Sequence, residues 1–147
     1  MKLKAFLAVA VLSFGLFCPG PARAIGIQDF AKLSIDDEAT YVTLLVEGVA
    51  KELRAQGHPD QAHQAIMFFK DKTKNGGVAQ FATNLKAVNA INNRKAINPN
   101  NRAIPYQVED AMAMTLKDQG INIPVSYLLS INKDFKPTGP YRQLYTP

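Results

Sequence analysis

The chain has 147 residues, with 17 Lys and Arg against 12 Asp and Glu, a formal charge of +5, and one cysteine. This length supports a single domain with its own apolar core, and a lone cysteine excludes any disulfide within the chain. The charge is misleading as an indicator of partners, because three of the cations sit in the first 24 residues.

Those residues carry the three parts of an export signal. Lys2 and Lys4 form a basic start, Ala5 to Phe17 an uncharged apolar run of 13 residues, and Ala22-Arg23-Ala24 an A-x-A cleavage pattern. Pro19 and Pro21 end the apolar helix before that pattern. The run falls short of the roughly 20 residues that span a bilayer. Phe17, directly before Cys18, is too bulky for a lipidation signal, which wants small residues there. The expectation is a signal peptide over 1–24, removed after Ala24, and a mature domain over 25–147 without cysteine. Export then leads to the periplasm or the medium, and no disulfide, thiol nucleophile or thiolate metal site remains.

Losing Lys2, Lys4 and Arg23 leaves 14 cations against 12 acids. That balance does not point to nucleic acid. Its distribution is uneven: residues 25–60 hold seven acids and three bases, while residues 61–102 hold seven bases and Asp71 alone. The acidic first third and basic middle either pack together or present a charged face.

The hydrophobic spacing predicts an all-α domain, a small bundle of four to five helices. Ser34-Ile35-Asp36-Asp37 resembles a capping box with Asp in the acidic place, and Asp36, Asp37 and Glu38 suit the positive end of the helix dipole. The first helix is expected over 35–56. Tyr41, Leu45, Val49 and Leu53 form its inner row, with Val42, Val46 and Ala50 beside it; Gly57 ends it. Pro59 and Asp60 open a second helix, with Ala62, Ile66 and Phe69 as its stripe, fading through 70–75 to Gly76-Gly77. The short connector implies an antiparallel hairpin. A third helix is expected over 78–92, on Val78, Phe81, Leu85 and Val88.

A polar stretch, NAINNRKAINPNNR over 89–102, then holds six asparagines, two arginines and a lysine. It reads either as a solvated connector or as a recognition loop in which Arg94 and Arg102 meet carboxylates or phosphates. A fourth helix is expected over 106–119, with Val108, Ala111, Met112, Thr115 and Leu116 inward and Gly120 as its stop. A short fifth is expected over 125–131, with Leu128 and Leu129 buried. The Pro- and Tyr-rich end, 136–147, is expected to be extended.

Candidate chemistry is sparse. His58 and His63 are five apart, not the i, i+4 of a helical metal pair, and Asp60 joins them only if the loop folds back. Asp36, Asp37 and Glu38 are assigned to capping rather than to acid–base work, which needs carboxylates in contrasting environments. Ser34, Ser126 and Ser130 lie in no nucleophile elbow, and Gly76-Gly77 makes no phosphate loop. Lys70, Lys72 and Lys74, beside the start of the third helix, are a candidate anion site. No catalytic residue, metal site or cofactor is assigned.

The expected function is that of an exported, non-enzymatic helical protein that binds another protein. Its contact surface is either a groove between helices or the basic asparagine-rich segment, with Arg94, Lys95, Asn98, Asn100 and Arg102 as the named residues. Two alternatives stand beside it. One is an enzyme or small-ligand carrier with His63 or carboxylates lining a pocket; the other is a binder of anionic polymers. Nucleic-acid binding and insertion of the trimmed chain into a membrane are not expected, since the phenylalanines of the basic third fall on helical faces and no helix is strongly basic and amphipathic.

Overall fold

A computed structural model describes residues 25–96, 107–132 and 135, with the side chains of 92, 94–96 and 132 left undescribed. Residues 1–24, Asn98, Asn100, Arg102 and the segment 136–147 lie outside the described residues.

All regular structure among the described residues is helical: α1 (Ile27–Phe30), α2 (Ile35–Ala55), α3 (Pro59–Lys70), α4 (Gly77–Ala96), α5 (Val108–Lys117) and α6 (Val125–Asn132). An all-α bundle is the observed class. It has one element more than the spacing predicts, because α1 is a single turn, too short to show a periodicity.

Local chemistry sets the helix ends. Ser34 Oγ accepts the Asp37 N–H at 3.1 Å, capping α2 as its sequence implies. At the other end Gly57 takes φ +82°, and after α5 Gly120 takes φ +76°. Both are left-handed conformations that a side chain would strain. Pro59 occupies the first turn of α3. The start of α5 is closed by the Asp110 carboxylate accepting the Gln107 N–H at 2.8 Å.

α2 and α3 form the expected antiparallel hairpin, α4 packs on α5 and on α3, and α6 closes against α2 and α5. The inner row of α2 is fully buried, with Tyr41, Leu45 and Val49 at 0% exposure and Leu53 at 2%. Val108, Ala111, Met112, Thr115 and Leu116 of α5 are all buried, as predicted. In α6 Leu128 is buried but Leu129 is only half-buried.

Aromatic rings join the elements. Phe30 of α1 lies 5.8 Å from Tyr41 and 6.2 Å from Phe81, and Phe135 lies 4.8 Å from Tyr41. Edge-to-face contacts at these distances add to the apolar burial. The N-terminal end of the described chain is tied in by a hydrogen bond from the Val108 N–H to the Ile25 carbonyl, 3.2 Å, beside an isolated bridge of Gly26 with Gln107.

Two sequence expectations need correction. The asparagine-rich stretch does not open a connector at Asn89: α4 continues through Ala96, so more than half of that stretch is helix. Asparagine is a poor helix former, but Ala90, Arg94, Lys95 and Ala96 in the same stretch are good ones. The second helix does not fade; it stops at Lys70, where Asp71 turns the chain by accepting the Thr73 N–H at 2.9 Å and the Thr73 hydroxyl at 3.0 Å.

Candidate functional site

α2 carries more apolar surface than its neighbours cover. Its inner row faces the core, while a second stripe, Ile35, Ala39, Val42 and Val46, runs along an open groove. These residues recur at i, i+4, i+7 and i+11 and extend over about 18 Å of helix at 1.5 Å per residue. α3 contributes Ile66, Phe69 and Lys70, and α4 contributes Val78, Phe81, Ala82 and Leu85; Phe30 and Ala31 close one side. The enclosed volume is about 690 Å³.

The close approach of α3 and α4 behind this groove depends on Gly77. A β-carbon there would meet the Phe69 ring at 2.8 Å and the Phe68 carbonyl at 3.0 Å. Without it the first turn of α4 sits against the end of α3, and Phe69 is turned to the groove wall.

Exposure identifies the groove as the unusual surface of the molecule. Ile35 is 83% exposed and Val78 51%, whereas a residue on an apolar helix stripe normally lies against a neighbour. Val78 was expected in the core as the first member of the α4 stripe; it stands at the groove instead. Ile66 and Phe69, the outer half of the α3 stripe, are only partly buried for the same reason.

Charge at the groove is limited to three side chains: Glu38 and Glu47 of α2, and Lys70 of α3. Burial pushes the Glu38 carboxyl above its ordinary range.

The other named residues are dispersed. His63 is exposed on α3 and lines no part of the groove; His58 is exposed ahead of Pro59. Among the described residues no three His, Cys, Asp or Glu side chains gather in a way that could hold a metal ion. Lys70 ends α3, and Lys72 and Lys74 are exposed on the connector that follows, on either side of Thr73. Arg94 and Lys95 lie in the last turn of α4. Asp36 and Glu38 remain open to solvent at least in part, but Asp37, the third of the acids assigned to capping, is buried at 4% exposure.

Two polar pairs in the core were not foreseen. Tyr41 donates its hydroxyl hydrogen to Glu109 Oε1, joining α2 to α5, and both residues are fully buried. Asn84 of α4 donates to Thr115 Oγ1 of α5 at 3.0 Å and to Asp118 Oδ2 at 3.3 Å. Tyr41 and Glu109 stand 68 positions apart, and nothing in either local pattern announces the contact. The groove did leave a sign in the sequence: the apolar face of α2 is too broad for one neighbour, with Val42 and Val46 beside an already complete inner row.

No described helix is long and apolar enough to cross a membrane. Comparison of the chain with protein-family models, with curated proteins and with solved structures finds no significant match in any of the three.

Proposed function

We propose that the chain is an exported, non-enzymatic binding protein that holds an amphipathic helix of another protein in the groove between α2, α3 and α4. The observation that carries this reading is the open groove along about 18 Å of α2, where Ile35 and Ala39 are exposed, Val42 is half-buried and Val46 is buried in the lining. That length takes three turns of a helix, the usual unit of helix-in-groove recognition through anchors at i, i+3, i+4 and i+7. Glu38 and Glu47 sit among the apolar lining residues, so the fitting partner helix carries Lys or Arg beside its apolar stripe. Export rests on the leader pattern of residues 1–24.

A designed 18-residue peptide of leucine and lysine, amphipathic as a helix, tests the groove. Titrated by fluorescence anisotropy, it is expected to bind, and a scrambled peptide without the stripe is not. Val42→Glu together with Val78→Glu should weaken binding at least tenfold, with amide shift changes confined to residues 35–47 and 66–85. A charge-reversed chain, with Arg94, Lys95 and Arg102 changed to Glu, should bind this basic peptide no more weakly. Equal affinity for stripe and scramble, or shift changes centred on the end of α4, would refute the groove reading and leave the asparagine-rich segment as the contact surface.

A further inference from the structure

We infer that the groove is also the contact face of a self-paired form of this chain, in which a second copy lays its α2 along the first copy's α3–α4 wall and receives the same in return. This rests on the reading of the groove as a binding surface, and adds what occupies it when no partner helix is present.

The fold leaves its charges segregated. Residues 35–50 of α2 hold four acids and no base, while residues 70–86 hold four lysines and Asp71 alone. The two groups do not neutralise each other: the one ion pair among the described residues is Lys32 with Asp29, 3.3 Å apart and within the acidic third. Asp36, Glu38 and Glu47 are thus left without a base, and Glu38 and Glu47 line the groove. Across from them Lys70 lines the α3 side, and exposed Lys72 and Lys74 follow it on the connector to α4. Exposed Lys86 continues the α4 row of Val78 and Ala82 at i, i+4 and i+8. One wall is acidic, the opposite wall is basic, and the lining between them is apolar.

Such a face is complementary to itself. A two-fold axis across the groove lays the α2 wall of one copy on the α3–α4 wall of the other, so every contact occurs twice and acid meets base in both. A groove of one sign would repel its own copy. α2 also offers the ridge: Ile35, Ala39 and Thr43 recur at i, i+4 and i+8 and are exposed, Ile35 at 83%. The short Ala39 and Thr43 let a second backbone come close, and Ile35 is the knob that enters the opposite groove. Pairing removes Ile35 and half-exposed Val78 from water together. A face three helical turns long falls at the small end of specific interfaces, about 600 Å² per partner. The pair is therefore weak enough for a partner helix to displace.

Sedimentation velocity of the full chain, with Cys18→Ser to exclude disulfide-linked pairs, reads the self-pairing. The chain is expected to pass from monomer to dimer over about the micromolar to millimolar range, and added salt should weaken the pair. Val42→Glu with Val78→Glu should weaken it at least tenfold. Asp36→Lys, Glu38→Lys and Glu47→Lys together make both walls basic; Lys70→Glu, Lys72→Glu and Lys74→Glu make both acidic. Each charge variant alone is expected to stay monomeric and their equimolar mixture to pair, because each wall then meets its opposite. A parent chain monomeric throughout, pairing untouched by Val42→Glu with Val78→Glu, or variants that fold and do not pair when mixed would overturn the proposal. The leucine–lysine peptide keeps this failure apart from that of the groove reading. Peptide that splits the dimer into peptide-bound monomers supports both. Peptide bound by a chain that never pairs overturns the self-pairing and leaves the groove reading standing. Pairing through the groove with no peptide bound overturns the helix-binding reading and leaves the self-pairing standing.

Discussion

A β-carbon on Gly48 would lie 2.5 Å from Ile131 Cδ1, with two further Ile131 carbons within 2.9 Å. This glycine is in mid-helix, where it costs α2 about 1 kcal/mol relative to alanine. The Ile131 contact repays that cost by letting α6 approach. Gly48→Ala is therefore expected to destabilise, by about 1 kcal/mol, because the overpacking penalty of about 1–3 kcal/mol exceeds the gain in helix propensity; thermal unfolding followed by circular dichroism checks this. Tyr41→Phe tests the core pair with Glu109. Removing the hydroxyl takes a donor from a fully buried carboxyl and should cost about 1–3 kcal/mol in a urea titration, far more than the same change at an exposed tyrosine. At this scale the sequence was partly legible. Ser34, Gly57, Pro59 and Gly120 act through their own backbone neighbourhood, so they could be read one at a time. Asp37 could not: its place next to Ser34 says helix start, and its burial depends on what the rest of the chain brings there.

At the level of helices, α4 and α5 are joined by a polar seam, and α2 and α6 by a hydroxyl. Asn84→Ala leaves Thr115 and Asp118 without a shared donor in a buried interface and should cost about 1–3 kcal/mol, with α4 and α5 losing amide-exchange protection together. The Tyr127 hydroxyl donates to the Gly48 carbonyl at 3.1 Å. Burial, and after it the charge and hydrogen bonding of Glu52, raise this tyrosine above its ordinary value of 10.0. The folded chain thus favours the protonated hydroxyl. Its contribution is complete below pH 10.0 and is lost as the pH climbs through the higher folded value. As the pH rises above 10.0, Tyr127→Phe should lose less melting temperature than the parent chain. Helix starts and stops were legible in turn residues, but the length of α4 was not. In Asn89 to Ala96, Asn89, Asn92 and Asn93 disfavour helix while Ala90, Arg94, Lys95 and Ala96 favour it, so propensity there points both ways.

For the molecule as a whole, the stripes of α2, α3, α4 and α5 were enough to place an all-helical bundle, because each repeats at the helical period over two turns or more. They could not say which stripe would find a neighbour. Val42, Ile66, Phe69 and Val78 read as core by type and spacing, and they form an open wall because no described helix crosses them. The groove is thus a property of the assembled topology, visible in the sequence only as a surplus of apolar residues on one helix. Trimming of the leader is the expectation for the chain as a whole: intact-mass measurement of exported material should show a polypeptide starting at Ile25, and retention of residues 1–24 would remove export from the proposed function.

The carbonyl held by Val108 belongs to Ile25, a residue 2% exposed and part of the core. A peptidase needs several residues on both sides of its target drawn out into its cleft, and tied-down backbone of this kind resists nicking. On the proposed trimming after Ala24, the bond to be cut adjoins that tied-down residue, so its hydrolysis would belong to the moment before the bundle closes. Maturation and folding would then share one clock, and precursor allowed to fold first should be a poor substrate for the enzyme that processes it.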